Sequence, residues 1–357
     1  MHPFAYACSV VAIAATVAVA QQTVVVPAAF ASTDAASYVW VPGASDDVRE
    51  QTLVGSTHLA AQVGRPLTAL ELRRNDVPEA FAGAIANLTV ILSTSPRTPL
   101  SMSTAFADNV GADASQVFAG TVAIPASPVP AGPVDWTAAN TIRIAFQQPF
   151  LYQGGTLCID VTGTTVTGQT SPWWMADAAF EVLDGAVVDL GPGCGPYANA
   201  QGQWSFVAPR SLAVGGHARL WAYGPPGSFA IAVLGDAAPA PVPLAPLGIG
   251  GAGCFAYLGA IRATALFAFA PQQDPALQGR GGLAEWTLPI PNQTWALGAS
   301  VATQWLELSQ LHASNGVRWT IASSVPTLDM ALLDGVPGFP IGNLTVDQAH
   351  VLRLEYQ

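Results

Sequence analysis

Along most of this chain, hydrophobic residues recur at every second position. In NLTVIL, Leu88, Val90 and Leu92 share one face. In TIRIAF, Ile142, Ile144 and Phe146 alternate with Arg143 and Ala145. In TLCIDV, Leu157, Ile159 and Val161 alternate with Cys158 and Asp160. The same pattern holds Val317, Trp319 and Ile321 in GVRWTIA, and Leu352, Leu354 and Tyr356 in HVLRLEY. Successive side chains of a strand point to opposite faces, so this period predicts strands with one buried face. The 34 glycines and 29 prolines punctuate these segments at short intervals, as turns require. The predicted fold class is all-β: two antiparallel β-sandwiches, jelly-roll or immunoglobulin-like, in tandem. Helix is confined to single turns, at Val77–Phe81 and at Asp113–Gln116.

The sequence divides into a leader (1–20), an N-terminal sandwich (21–186) and a C-terminal sandwich (187–322). A last stretch (323–357) supplies strands that complete one sandwich or cover an edge. The leader carries an apolar run from Phe4 to Ala20 that ends in Ala18-Val19-Ala20, a small-x-small cleavage signal. Only His2 stands where a positive n-region is expected. The run is too short and alanine-rich for a membrane span, and the surroundings of Cys8 make a poor lipidation box. The expectation is a secreted or cell-surface protein with no membrane insertion after cleavage. Pro239–Pro246 (PAPVPLAP) has a linker's composition, but it is short and flanked by the strands SFAIAVLG and CFAYLG. It is read as a loop within the second sandwich.

Charge narrows the function classes. The chain has 23 acidic and 12 basic residues, a net charge of −11, and every basic residue is arginine. Phosphate backbones and anionic membranes need clustered cations, and Arg73-Arg74 is the one adjacent pair, so nucleic acid is excluded as a partner. Without lysine there is no Schiff base, Walker lysine or Ser-Lys mechanism. His58, His217, His312 and His350 are isolated, with no G-x-S-x-G elbow and no clustered cysteines, so neither a triad nor a zinc site is predicted. No cofactor or metal is expected. The loop with Asp108, Asn109 and Asp113 has hard oxygen ligands but reads as a solvated loop rather than a Ca2+ site.

Three cysteines follow the leader, which allows three pairings. Cys194 (GPGCGP) and Cys254 (GGAGC) sit in glycine-rich turns that can bring sulfurs together, so this pair is the expected disulfide. Cys158, in mid-strand, is then a buried free thiol. Asp177, Glu181 and Asp184 lie close together in sequence and could supply paired carboxylates for glycoside hydrolysis. Trp295, Trp305 and Trp319 lie in or beside alternating strands and read as core. Trp173-Trp174 differs, because adjacent strand residues face opposite ways, so that at least one ring should face outward, or else both lie on a loop. With Asp177, Gln169 and Thr170 nearby, Trp173 and Trp174 are candidate sugar-stacking residues. The competing reading fills the first core with one ring and the domain junction with the other.

Two motif groups carry a resemblance. Ser103–Gly120 matches S-x-x-F-A-x-N-x-G-x-D-x-x-x-V-F-x-G, and Pro149, Phe150, Tyr152, Leu157, Cys158 and Asp160 match P-F-x-Y … L-C-x-D. The second group runs from GPGC through LGIGGAGCFAYL and WTLPIPNQTWALGASVATQWLEL to SNGVRWTIA. Together they resemble exported β-sandwich proteins of uncharacterised function found in planctomycetes and among PEP-CTERM-sorted bacterial proteins. The resemblance implies export and a β-sandwich fold and is nearly silent on chemistry; sorting and anchoring are not carried over. The functional expectation is a non-enzymatic protein with a structural or interaction role, whose partners are polysaccharide or cell-surface proteins. The alternatives are a carbohydrate-binding protein at Trp173, Trp174 and Asp177, and a glycoside hydrolase-like enzyme.

Overall fold

The structure is a computed structural model that describes residues 21–166, 169–198, 204–207, 212–271 and 281–357. The leader and its cleavage signal lie outside the described residues. The first nine strands are β1 (Gln22–Val26), β2 (Ser37–Trp40), β3 (Val48–Val54), β4 (Arg65–Arg73), β5 (Ala84–Ser95), β6 (Ser115–Ile124), β7 (Thr141–Tyr152), β8 (Thr156–Thr165) and β9 (Met175–Phe180). Ten more follow: β10 (Ala186–Gly191), β11 (Ser205–Val207), β12 (His217–Gly224), β13 (Phe229–Pro243), β14 (Phe255–Ala268), β15 (Ala270–Pro271), β16 (Gly282–Pro289), β17 (Ser300–Glu307), β18 (His312–Ala313) and β19 (Gly316–Thr320). The last four are β20 (Met330–Gly335), β21 (Asn343–Thr345), β22 (Gln348–His350) and β23 (Leu352–Tyr356). All pairings are antiparallel, so the all-β, sandwich-like class read from the period-two pattern is what forms.

Five sheets result. β1-β23-β4-β7, β2-β9-β22 and β21-β20-β3-β8-β5-β6 form a first group. β10-β19-β17-β13-β14, with β18 beside β17, and β11-β12-β16-β15 form a second. Among the described residues, β10–β19 pair only with one another, and β20–β23 return to pair with β3, β9 and β4. The order is therefore not a simple tandem. The second group is inserted into the first, with the chain leaving after Phe180 and returning before Met330. The return occupies ladder edges on β3, β4 and β9 that would otherwise be open.

The predicted faces pack as expected. Leu88, Val90, Leu92, Ile142, Ile144, Leu157, Ile159, Val161, Leu352 and Leu354 share one core. Val317, Trp319, Ile321 and Trp305 share another with Leu220 and Ala222. β8 departs from the one-sided reading, because its first six residues are all buried. Its second face lays Cys158 against Leu53, Phe106, Ala213 and Ala322 in a third cluster where the two groups meet. The disulfide is Cys194–Cys254, with Cα atoms 5.0 Å apart, and Cys158 is a buried free thiol. Burial pushes the Cys158 thiol up to about 12.

Three local expectations fail. Neither 77–81 nor 113–116 is helical: the first is a bend and the second a turn running into β6. Short 3-10 segments form instead, two joined at a kink at Leu59 within Ser56–Gln62 and one at Phe106–Asn109. Pro239–Pro246 is not a simple loop, since β13 runs through it to Pro243, pairing with β14 through register shifts. Pro239, Pro241 and Pro243 lack amides on one side of that strand only, beyond the point where β17 stops pairing at Gly235. Trp295 is not core but 71% exposed.

Candidate functional site

The tryptophan–aspartate site read from the sequence does not assemble. Trp174 is 1% exposed; its Nε1 donates to the Pro125 carbonyl at 2.7 Å and its ring tilts against Phe81. Asp177 is 0% exposed and accepts from Arg73 at 2.5 Å and from the Ala35 amide at 3.0 Å. Burial pushes its carboxyl up, while Arg73 and Ala35 hold it back. Trp173 is half-buried. Glu181 accepts from the Thr327 and Leu328 amides, and Asp184 from the Ser323 amide and hydroxyl. These hydrogen bonds hold Asp184 below the usual carboxylate range. Glu181 and Asp184 thus secure the chain where it leaves and re-enters the first group, Asp177 is tied up inside that group, and Trp174 and Asp177 are withdrawn as ligand contacts.

The loop acids are also engaged. Asp113 accepts from the Thr94 amide and hydroxyl, Asp108 from the Ser103 hydroxyl, and Asn109 donates to Gln51. Among the described residues, no group of three or more His, Cys, Asp or Glu could hold a metal ion, and no helix is long and apolar enough to cross a membrane.

A different aromatic pair faces solvent. Period two puts Tyr38 and Trp40 on one face of β2, an edge strand of its sheet. They are 44% and 41% exposed. Their centroids lie 6.2 Å apart with planes at 83°, so they make a corner rather than a flat platform. Gln348 on β22 donates to the Ser37 hydroxyl at 2.7 Å and to the Tyr38 carbonyl at 2.9 Å, fixing the aromatic strand. The rings border a cleft of about 420 Å³ whose other wall carries Val48, Glu50, Leu332, Asp334 and Thr345.

Glu50 on β3 and Asp334 on β20 stand directly opposite in the antiparallel ladder. Side chains so placed share a face, with Cβ atoms roughly 4.5–5.5 Å apart, and like charges there repel. Burial first, and then the Glu50 charge, pushes the Asp334 carboxyl above the usual range; the Asn343 amide, 3.4 Å away, acts against them. Glu50 also contacts His350 Nε2. His350 is 2% exposed, its Nδ1 has no hydrogen-bond partner, and with Glu50 it lines an internal cavity of about 20 Å³ behind the cleft. That space suffices for one water molecule.

Two other clefts lack this combination. One of about 410 Å³, between the two groups, has Arg97, Ser101, Ser103, His217 and Asn292 in its lining, which includes no tryptophan, tyrosine or phenylalanine. Another, of about 350 Å³, includes Tyr197 and Trp204, but Trp204 stacks on Phe206 at 5.1 Å. The sequence signal for the β2 site was available as two aromatics at i and i+2 in SYVW. The carboxyl pair was not, because Glu50 and Asp334 are 284 positions apart (334 − 50) and only the β3–β20 register joins them. No protein-family model matches the chain, and a search of curated proteins likewise found no match, so the cleft's chemistry rests on its own geometry.

Proposed function

We propose that this chain is an exported, non-enzymatic β-sandwich protein that binds carbohydrate in the cleft bordered by Tyr38 and Trp40. The observation that carries the reading is the pair of solvent-facing rings on one strand, opposite a wall of hydrogen-bonding groups. Exposed aromatic faces with a few convergent polar groups are the chemistry of sugar recognition, in which a ring covers the C–H face and polar groups take the hydroxyls. The Cys194–Cys254 disulfide suits an oxidising, extracellular compartment, as does the resemblance to exported proteins.

The test is binding of the mature protein to a polysaccharide panel, beside Tyr38→Ala/Trp40→Ala and Trp173→Ala variants of matched melting temperature. Loss of binding in the first variant and retention in the second is expected. Retention in the first would overturn the site.

One observation favours a second reading, hydrolysis. Glu50 and Asp334 are cross-strand neighbours in the same cleft, and a carboxyl raised by burial beside a second acidic side chain is the arrangement glycosidases use. Release of reducing ends by the wild type, abolished in Asp334→Asn, would establish that reading. Binding without turnover would leave the binding function in place.

A further inference from the structure

We infer that the β2 cleft recognises a cationic glycan, a hexosamine polymer with free amino groups, through Glu50 and Asp334 beneath the corner of Tyr38 and Trp40. The inference rests on the carbohydrate-binding reading and names the ligand class for the same site.

Three observations carry it. First, the two carboxyl groups are cross-strand partners in the cleft wall, and no arginine is among the residues that line it. The Arg49 guanidinium, next in sequence to Glu50, is bound instead to Asp160 through Nε at 3.1 Å and NH2 at 2.6 Å. His350 reaches Glu50 from behind, and the Arg219 charge, which acts on Asp334, comes from outside the cleft lining. A ligand cation between the carboxyls relieves their repulsion, which a neutral sugar does not.

Second, rings set at 83° cannot both lie flat against one sugar face. A corner of aromatic surface beside carboxylates fits a compact ammonium, which is attracted by ring faces and by negative charge together.

Third, the buried Nδ1 of His350 is unpartnered, and the small cavity it lines is shared with Glu50. It stands behind the cleft wall as a buried polar atom that no protein group satisfies. Thr345 and Ser37, also in the lining, supply hydroxyls for the remaining sugar oxygens.

The test uses three oligosaccharide series of equal length: glucosamine, N-acetylglucosamine and glucose. Each is titrated into the full mature protein at low salt and about pH 6, where an ordinary amine is charged. The expected result is binding of the glucosamine series about tenfold tighter than either neutral series. That preference should fade as salt is raised. Asp334→Asn, checked for an unchanged melting temperature, should erase the preference, so that the glucosamine series binds no tighter than the two neutral series. Glu50→Gln is the second variant should Asp334→Asn not fold. Equal affinity for all three series would overturn the inference and keep the carbohydrate site. A preference that survives both variants would also overturn it. Failure of every series to bind would remove the underlying carbohydrate reading as well.

Discussion

Asp177 illustrates how a polar residue in an aromatic-rich segment can serve the fold rather than a ligand. Its carboxylate meets Arg73 with both side chains fully buried, and the Ala35 amide takes its other oxygen. Removing one partner of a buried ion pair leaves a charge without compensation. Asp177→Ala should therefore lower stability by about 3–5 kcal/mol in chemical denaturation, with binding per folded molecule unchanged. His217 makes a pH prediction. Burial, aided by the nearby Arg219 charge, lowers it from 6.5 to about 4. As pH falls below about 6.5 the unfolded chain takes up the proton first, so stability from this group, full above that value, is lost progressively down to about 4. The loss is on the order of 3 kcal/mol. Denaturation midpoints of His217→Gln should fall less steeply than wild type between those pH values, and parallel curves would refute the assignment.

At the level of elements, the period-two rule located strands well because each has a core to face. Leu88, Val90 and Leu92 on β5, and Val317 and Trp319 on β19, point where alternation puts them. It failed where that assumption fails. β8 is buried on both sides, and β13 carries prolines yet continues as a strand past its β17 partner. Trp173-Trp174 failed for a related reason. The opposite-faces rule holds within a strand, and both residues lie just before β9, where Trp174 packs into the core and Trp173 is half-buried. Glycine-rich turns did locate the disulfide, since both cysteines lie where the backbone bends freely. Its bridge closes a separation of 60 residues, joining the segment after β10 to the start of β14. Cys194→Ser should cost roughly 2–5 kcal/mol under non-reducing conditions. An unchanged melting temperature would mean that the bridge contributes nothing to folding.

Across the whole molecule, composition and alternation gave the fold class, but connectivity lay beyond them. Nothing local in Met330–Tyr356 says that these strands pair with β3, β9 and β4 rather than with the sandwich that directly precedes them. That return also builds the cleft, since it brings Asp334 and Thr345 to the wall that carries Glu50, and Gln348 to the strand of Tyr38 and Trp40. A chain ending at Ala322 should accordingly fail to unfold cooperatively and should aggregate through open edges on β3, β4 and β9. A soluble, cooperatively melting product would contradict the inserted topology. The most direct test of the central claim is selective tryptophan oxidation, mapped by mass spectrometry with and without a bound polysaccharide. Trp40 and Trp295 are both exposed, at 41% and 71%, so each reacts in the free protein. The ligand should protect Trp40 and leave Trp295 and Trp173 unchanged; protection of Trp173 or Trp295 with Trp40 still reactive would contradict a site at β2.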